Sequence, residues 1–121
     1  MQPLLRKDYK RVVVKIGSSL LYCDKKLGFI LVNNIARGIS HLINDGRQII
    51  LVSSGAIACG MSVLGLEARP KELSYLQAVA AIGQHELMHL WRRAFKEKTL
   101  NCAQVLLTWE DFDSRKRYLN A

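Results

Sequence analysis

Apolar positions along this chain recur with two periods, one of short continuous runs and one of helical spacing, and the two alternate. Arg11-Val12-Val13-Val14-Lys15-Ile16-Gly17 is short, β-branched and ended by glycine. That composition predicts a strand buried on both faces and central to a parallel sheet. After a polar loop through Asp24-Lys25-Lys26, the residues Leu31, Ile35, Ile39, Leu42 and Ile43 recur at helical spacing, and Asn44-Asp45-Gly46 supplies a stop. Gln48-Ile49-Ile50-Leu51-Val52-Ser53 repeats the strand composition and runs into Ser54-Gly55-Ala56-Ile57, where small residues open a second helix. This order defines a βαβ crossover.

Farther on, Pro70 suits the first turn of a long helix whose stripe is Leu73, Leu76, Val79, Gly83, Leu87, Leu90 or Trp91, and Ala94. The small residues Ala78-Val79-Ala80-Ala81 would let that helix press closely on the sheet. Asn101 to Thr108, centred on Val105-Leu106-Leu107, predicts a third strand, and Ser114 would cap a helix starting at Arg115. That last helix has only begun to show apolar residues when the chain stops, the look of a cut sequence. Strands alternating with helices predict an α/β fold, a three-layer αβα sandwich with a mainly parallel sheet. Ligands of such folds sit at the carboxyl ends of the strands, here Lys15-Ile16-Gly17-Ser18-Ser19 and Ser53-Ser54-Gly55-Ala56.

Composition narrows the class without changing this picture. The 121 residues are 50% hydrophobic and 23% charged, which fits one globular domain and excludes disordered, collagenous and coiled-coil chains. No apolar run reaches the ~18 residues that span a bilayer, and Met1 to Arg11 lacks the apolar stretch of a secretion signal, so a cytoplasmic location is expected. Cys23, Cys59 and Cys102 are far apart and lack C-x-x-C spacing, so they read as three buried thiols. The net charge of +8 sits at the two ends: residues 1–26 carry seven Lys/Arg against two acids, and residues 92–121 seven against four. No interleaved aromatics or DNA-binding motif accompany it, so a nucleic-acid partner is not expected.

Lys15 within an apolar strand calls for an anion to receive its ammonium. Gly17, Ser18 and Ser19 directly after it could aim N–H groups and hydroxyls at a phosphate. The plainer alternative is a lysine snorkelling from an edge strand before an ordinary serine turn. Ser54, Gly55 and Ala56 open a helix beside this loop, where a carboxylate or phosphate would be at home, although serines also serve simply as caps. His85-Glu86-Leu87-Met88-His89 is a literal H-E-x-x-H and carries the rival reading of a zinc hydrolase. Against it, the glycine and third histidine of one zincin class are missing, and only Glu110 or its neighbours could complete a site. Glu110, Asp111 and Asp113 read first as an acidic helix start and second as Mg²⁺ ligands. Trp91, Trp109, Tyr75 and Tyr118 read as core and interface packing. A non-catalytic interaction module using the basic ends is the third reading, and no metal site is assigned.

Val12 to Leu20 resembles the opening strand of the amino-acid kinase family. The segments Ile50 to Gly60, Gln77 to Gln84, Gln104 to Thr108 and Arg117 to Ala121 resemble its glutamate-phosphorylating branch in the same order. The resemblance implies ATP-dependent phosphorylation, with Mg²⁺, of the side-chain carboxylate of L-glutamate to an acyl phosphate, the first step of proline biosynthesis. It implies that Lys15 contacts the transferring phosphoryl group, that Gly17, Ser18 and Ser19 bind phosphates, and that Ser54, Gly55 and Ala56 bind the amino acid. The family's catalytic domain is longer, with a second lysine, an asparagine- and aspartate-containing motif and most of the nucleotide pocket in its later half, and many members add an RNA-modification-type domain. Residues 1–121 are therefore expected to be the N-terminal half of one such domain, inactive alone, prone to self-association through exposed apolar surface, and part of a homo-oligomer when complete.

Overall fold

The strand-forming runs are realised as two parallel strands in a computed structural model, which describes residues 9–21 and 25–120. Strand β1 (Arg11–Ile16) pairs with β2 (Gln48–Ser53) in a register that sets Lys15 against Val52 and Ile16 against Ser53. The crossover between them is helix α1 (Lys25–Asn44), which begins earlier than its apolar pattern suggested and takes in Lys25 and Lys26. Gly46, at φ 82°, ends it as expected. The N–H of Arg47 returns to the Leu42 carbonyl at 3.1 Å and that of Gly46 to Ile43 at 2.9 Å, a paired closure that only a left-handed residue permits cheaply.

Helices α2 (Ala56–Leu64) and α3 (Leu73–Lys96) follow. Pro70 lies ahead of α3, whose N-cap is Glu72, so proline leads into the helix and does not occupy its first turn. On α3 the predicted stripe is realised by Val79, Gly83, Leu87, Trp91 and Ala94, joined by Phe95. Leu87, Trp91, Ala94 and Phe95 meet Val32, Ala36 and Ile39 of α1, Cys59 of α2 and Ile16 of β1 in one core. Each fully buried aliphatic side chain there contributes roughly 1.5–3 kcal/mol relative to exposure.

Both strands alternate between covered and exposed positions, which corrects the reading of strands buried on both faces. Val14, Ile16, Ile49 and Leu51 pack against the helices, whereas Val13, Ile50 and Val52 lie open on the other face. Among the described residues the helices cover one face only, so two layers of the predicted sandwich are present.

The predicted third strand is not formed: residues 101–108 take no regular structure, and Val105, Leu106 and Leu107 are exposed. A strand is stabilised by its ladder partners, and this stretch has none among the described residues. It borders a cavity of about 160 Å³ together with Leu51 and Ser53 of β2 and Leu87 and Trp91 of α3. Two short helices close the described chain, α4 (Glu110–Asp113) and α5 (Arg115–Asn120). Ser114 caps α5 as expected, its hydroxyl accepting the Arg117 N–H at 3.2 Å. Trp109, 88% exposed, is not core, whereas Trp91 is buried.

Candidate active site at the strand ends

The turn after β1 is a single 3-10 turn, Ser18–Leu20, closed by Leu20 N–H to the Gly17 carbonyl at 3.2 Å. Lys15 is exposed, so the burial argument made for its ammonium falls away. Its position, however, is informative. A Cβ built on Gly17 would stand 3.6 Å from Lys15 Nζ and 3.9 Å from Ser19 Oγ. The ammonium, the hydroxyl and the bare glycine backbone therefore share one small space, with Ser18 exposed beside them. Such a cradle presents a cation and donors with no side chain filling it, a donor set suited to a phosphate oxygen.

The turn after β2 is built differently. The ladder runs one rung past the strands, with Ser54 N–H donating to the Ile16 carbonyl at 3.0 Å, and so brings Ser54 directly beside the Gly17 turn. Gly55 has φ 120°, and a Cβ there would lie 2.9 Å from Leu21 Cδ1. Glycine is required at this position both by conformation and by space. Ala56 begins α2, and the N–H groups of the first helical turn have no intrahelical acceptor. Ser54 and Lys15 are both exposed. All seven residues expected at the site lie at the adjoining ends of the two strands or in the turns that follow them.

What holds the second turn in place was only partly visible in the sequence. A Cβ on Gly83 of α3 would come within 1.7 Å of the Ala56 carbonyl oxygen, and one on Gly60 of α2 within 2.0 Å of the Val79 carbonyl oxygen. Val79 and Gly83 of α3 thus press on α2, whereas Ala78 and Ala81, expected to press on the sheet, are exposed. The close crossing seats the first turn of α2. The signal for Gly60 in the sequence is its four-residue offset from Ala56. Below the turn, buried Trp91 donates its indole N–H to Ser53 Oγ at 3.1 Å.

The rival motif does not assemble. His85 and His89 are exposed on α3, and His85 Nδ1 sits 3.7 Å from Glu86 Oε1 of the same pentapeptide. Among the described residues no group of three or more His, Cys, Asp or Glu could hold a metal ion. Glu110 pairs instead with Arg117 at 3.6 Å, and the Asp111 carboxylate accepts both the N–H (2.7 Å) and the hydroxyl (3.0 Å) of Thr108. Those bonds, the backbone one first, hold the Asp111 carboxyl below its ordinary range, with Arg117 adding to the effect. The acids serve a helix start, as first read.

A separate cavity of about 430 Å³ lies between α1, α2 and α3, lined among others by Phe29, Cys59, Met61, Glu86, His89 and Arg93. None of the seven strand-end residues borders it. Burial pushes the Cys59 thiol above its usual value, and the Glu86 carboxylate adds to this. Cys59 is buried and Cys102 half-buried, both as thiols, while Cys23 lies outside the described residues. No described helix is long and apolar enough to cross a membrane.

An α/β fold with a cation-bearing glycine turn and a helix N-terminus at adjacent parallel strand ends offers a donor set suited to an anion. The chain belongs to the amino acid kinase family, whose pattern it matches over residues 10–121. It is 51% identical over 112 residues to the glutamate 5-kinase of Thermus thermophilus, covering 93% of this chain and 30% of that protein. It is 47% identical over 113 residues to the glutamate 5-kinase of Geobacter sulfurreducens, with 93% and 30% covered. With that of Acinetobacter baylyi the identity is 49% over 116 residues, with 95% and 31% covered. The chain spans about 30% of the length of these curated relatives.

Proposed function

We propose that this chain is the N-terminal part of a glutamate 5-kinase, which transfers the γ-phosphoryl group of ATP to the side-chain carboxylate of L-glutamate in proline biosynthesis. The observation that carries the reading is the juxtaposition of two turns by the Ser54 N–H to Ile16 carbonyl bond, one turn cationic and open, the other rich in N–H donors. In this reaction a carboxylate oxygen bonds to the γ-phosphorus while the bond from phosphorus to the β,γ-bridging oxygen breaks, and ADP leaves. Two anions must approach, so the protein chiefly positions them and offsets their charge.

Lys15 Nζ offsets the charge on the transferring phosphoryl oxygens, with Gly17, Ser18 and Ser19 supplying N–H and hydroxyl donors to the phosphates. The Ser54 hydroxyl, with the Gly55 and Ala56 backbone, receives the glutamate. The seven residues fit a phosphate and a carboxylate, but they include no carboxylate ligand for Mg²⁺. On the same reading the enzyme works in the cytoplasm, as a self-associating protein, and residues 1–121 alone are inactive.

The test uses a chain of the relatives' length that contains residues 10–121. Lys15→Ala is expected to lower kcat by roughly 10²–10³, the scale of one lost charge-stabilising group. Ser54→Ala is expected to raise KM for glutamate with a smaller change in kcat. Full activity of Lys15→Ala would sink the assignment.

A further inference from the structure

We propose that Trp91 is a positioning residue for the glutamate-binding turn and acts through the Ser53 hydroxyl; the inference rests on the function proposed above. Trp91 sits on α3, 2% exposed, with its ring stacked on Phe95 at a centroid separation of 5.8 Å. A buried indole N–H needs an acceptor, and it has one in Ser53 Oγ at 3.1 Å, across to the last residue of β2. By occupying an acceptor site of that hydroxyl, the indole steers the hydroxyl's own proton. The proton is given to the Ser54 carbonyl oxygen, also at 3.1 Å.

The consequence falls on the next peptide unit. The N–H of Ser54, in the preceding peptide unit, is already tied to Ile16 at 3.0 Å, and the Ser53 hydroxyl adds a hold on the carbonyl of the Ser54–Gly55 peptide. In a trans peptide the N–H points opposite to the carbonyl, so fixing the Ser54 carbonyl aims the Gly55 N–H. Gly55, at φ 120°, has the conformational freedom to swing that N–H elsewhere. The hydrogen-bond chain from Trp91 removes that freedom and carries the rigidity of the core to a group that faces the substrate. Packing alone does not require it: phenylalanine would fill most of the same space and make no such bond.

Three variants separate the two roles in the relatives-length chain: Trp91→Phe, Ser53→Ala and the double variant. Each is expected to raise KM for glutamate about fivefold, the equivalent of about 1 kcal/mol for one neutral hydrogen bond, with kcat and KM for ATP little changed. The double variant is expected to show the same fivefold rise and not a product of the two. Ser53→Thr, which keeps the hydroxyl, should restore the parent value. A KM for glutamate unchanged by Trp91→Phe, or effects that multiply in the double variant, would overturn the proposal. If the parent chain shows no glutamate phosphorylation, it is the functional reading that fails. The positioning is then decided by the Gly55 amide resonance of the 121-residue chain. That resonance should move alike in Trp91→Phe, Ser53→Ala and the double variant, and a different response in any of them rejects the relay.

Discussion

The two strand-end turns are neighbours joined by one hydrogen bond, yet they are held in opposite ways. The turn after β1 is exposed at Ser18, Ser19 and Leu20 and closed by its own backbone, and it enters the core only at Leu21. The turn after β2 is clamped by Leu21 against Gly55, by Gly83 against Ala56, and by Trp91 through Ser53. A flexible triphosphate tolerates an adjustable cradle, whereas a small acceptor needs its partners fixed, because misplacement of the attacking oxygen is what slows a transfer between two anions. On the proposed function, the difference between the turns is one between a site that supplies charge and a site that supplies aim.

The comparison breaks first at the clamp. Gly83→Ala should destabilise the chain by roughly 3 kcal/mol or more, since the added methyl meets backbone atoms that cannot yield without separating α2 from α3. A urea midpoint equal to that of the parent would refute the clamp. Gly55→Ala ranks next, at about 1–3 kcal/mol, combining left-handed strain with the Leu21 clash. Gly17→Ala is the matched control in the open turn, where φ is −78° and the nearest contacts are of ordinary length. Its stability should stay within about 0.5 kcal/mol of the parent, while KM for ATP in the relatives-length chain rises at least about tenfold, because the methyl enters the cradle.

The smallest effect is expected at Asp111, which anchors Thr108 in a third loop. Its folded carboxyl lies below the ordinary value, so its contribution to α4 is complete above the unfolded carboxyl pKa and is lost as pH falls through the lower folded one. Trp109 fluorescence should register that acid transition. Asp111→Asn should abolish the transition while leaving the unfolding midpoint near neutrality almost unchanged.

The architecture was legible where periodicity is local. The β1–α1–β2 unit, the buried stripe of α3 and the caps at Gly46 and Ser114 all follow from short spacings and turn chemistry. What failed did so for a reason that lies outside any local window. Val105-Leu106-Leu107 has the composition of a strand, as Val12-Val13-Val14 does, but only the second run has β2 to complete its ladder. The same dependence on distant chain explains the open positions of Val13, Ile50 and Val52, whose composition reads as buried on both sides. At the site, the residue types were recognisable but the supports were not. Gly60, and the pairing of Trp91 with Ser53 across 38 positions, depend on how α3 lies against its neighbours. The H-E-x-x-H spacing shows the reverse error, a motif whose flanking structure offers its histidines no third partner among the described residues.

The rung between Ser54 and Ile16 sets a length scale as well as a contact. Adjacent parallel strands stand about 4.8 Å apart, a separation fixed by peptide hydrogen bonding and insensitive to side-chain identity. Because each turn issues from one of two neighbouring strands, the gap between phosphoryl donor and acceptor in the proposed reaction is graduated in that unit. In that proposed reaction the backbone acts as a ruler, and sequence drift on the surrounding helices alters grip while the strand spacing stays the same.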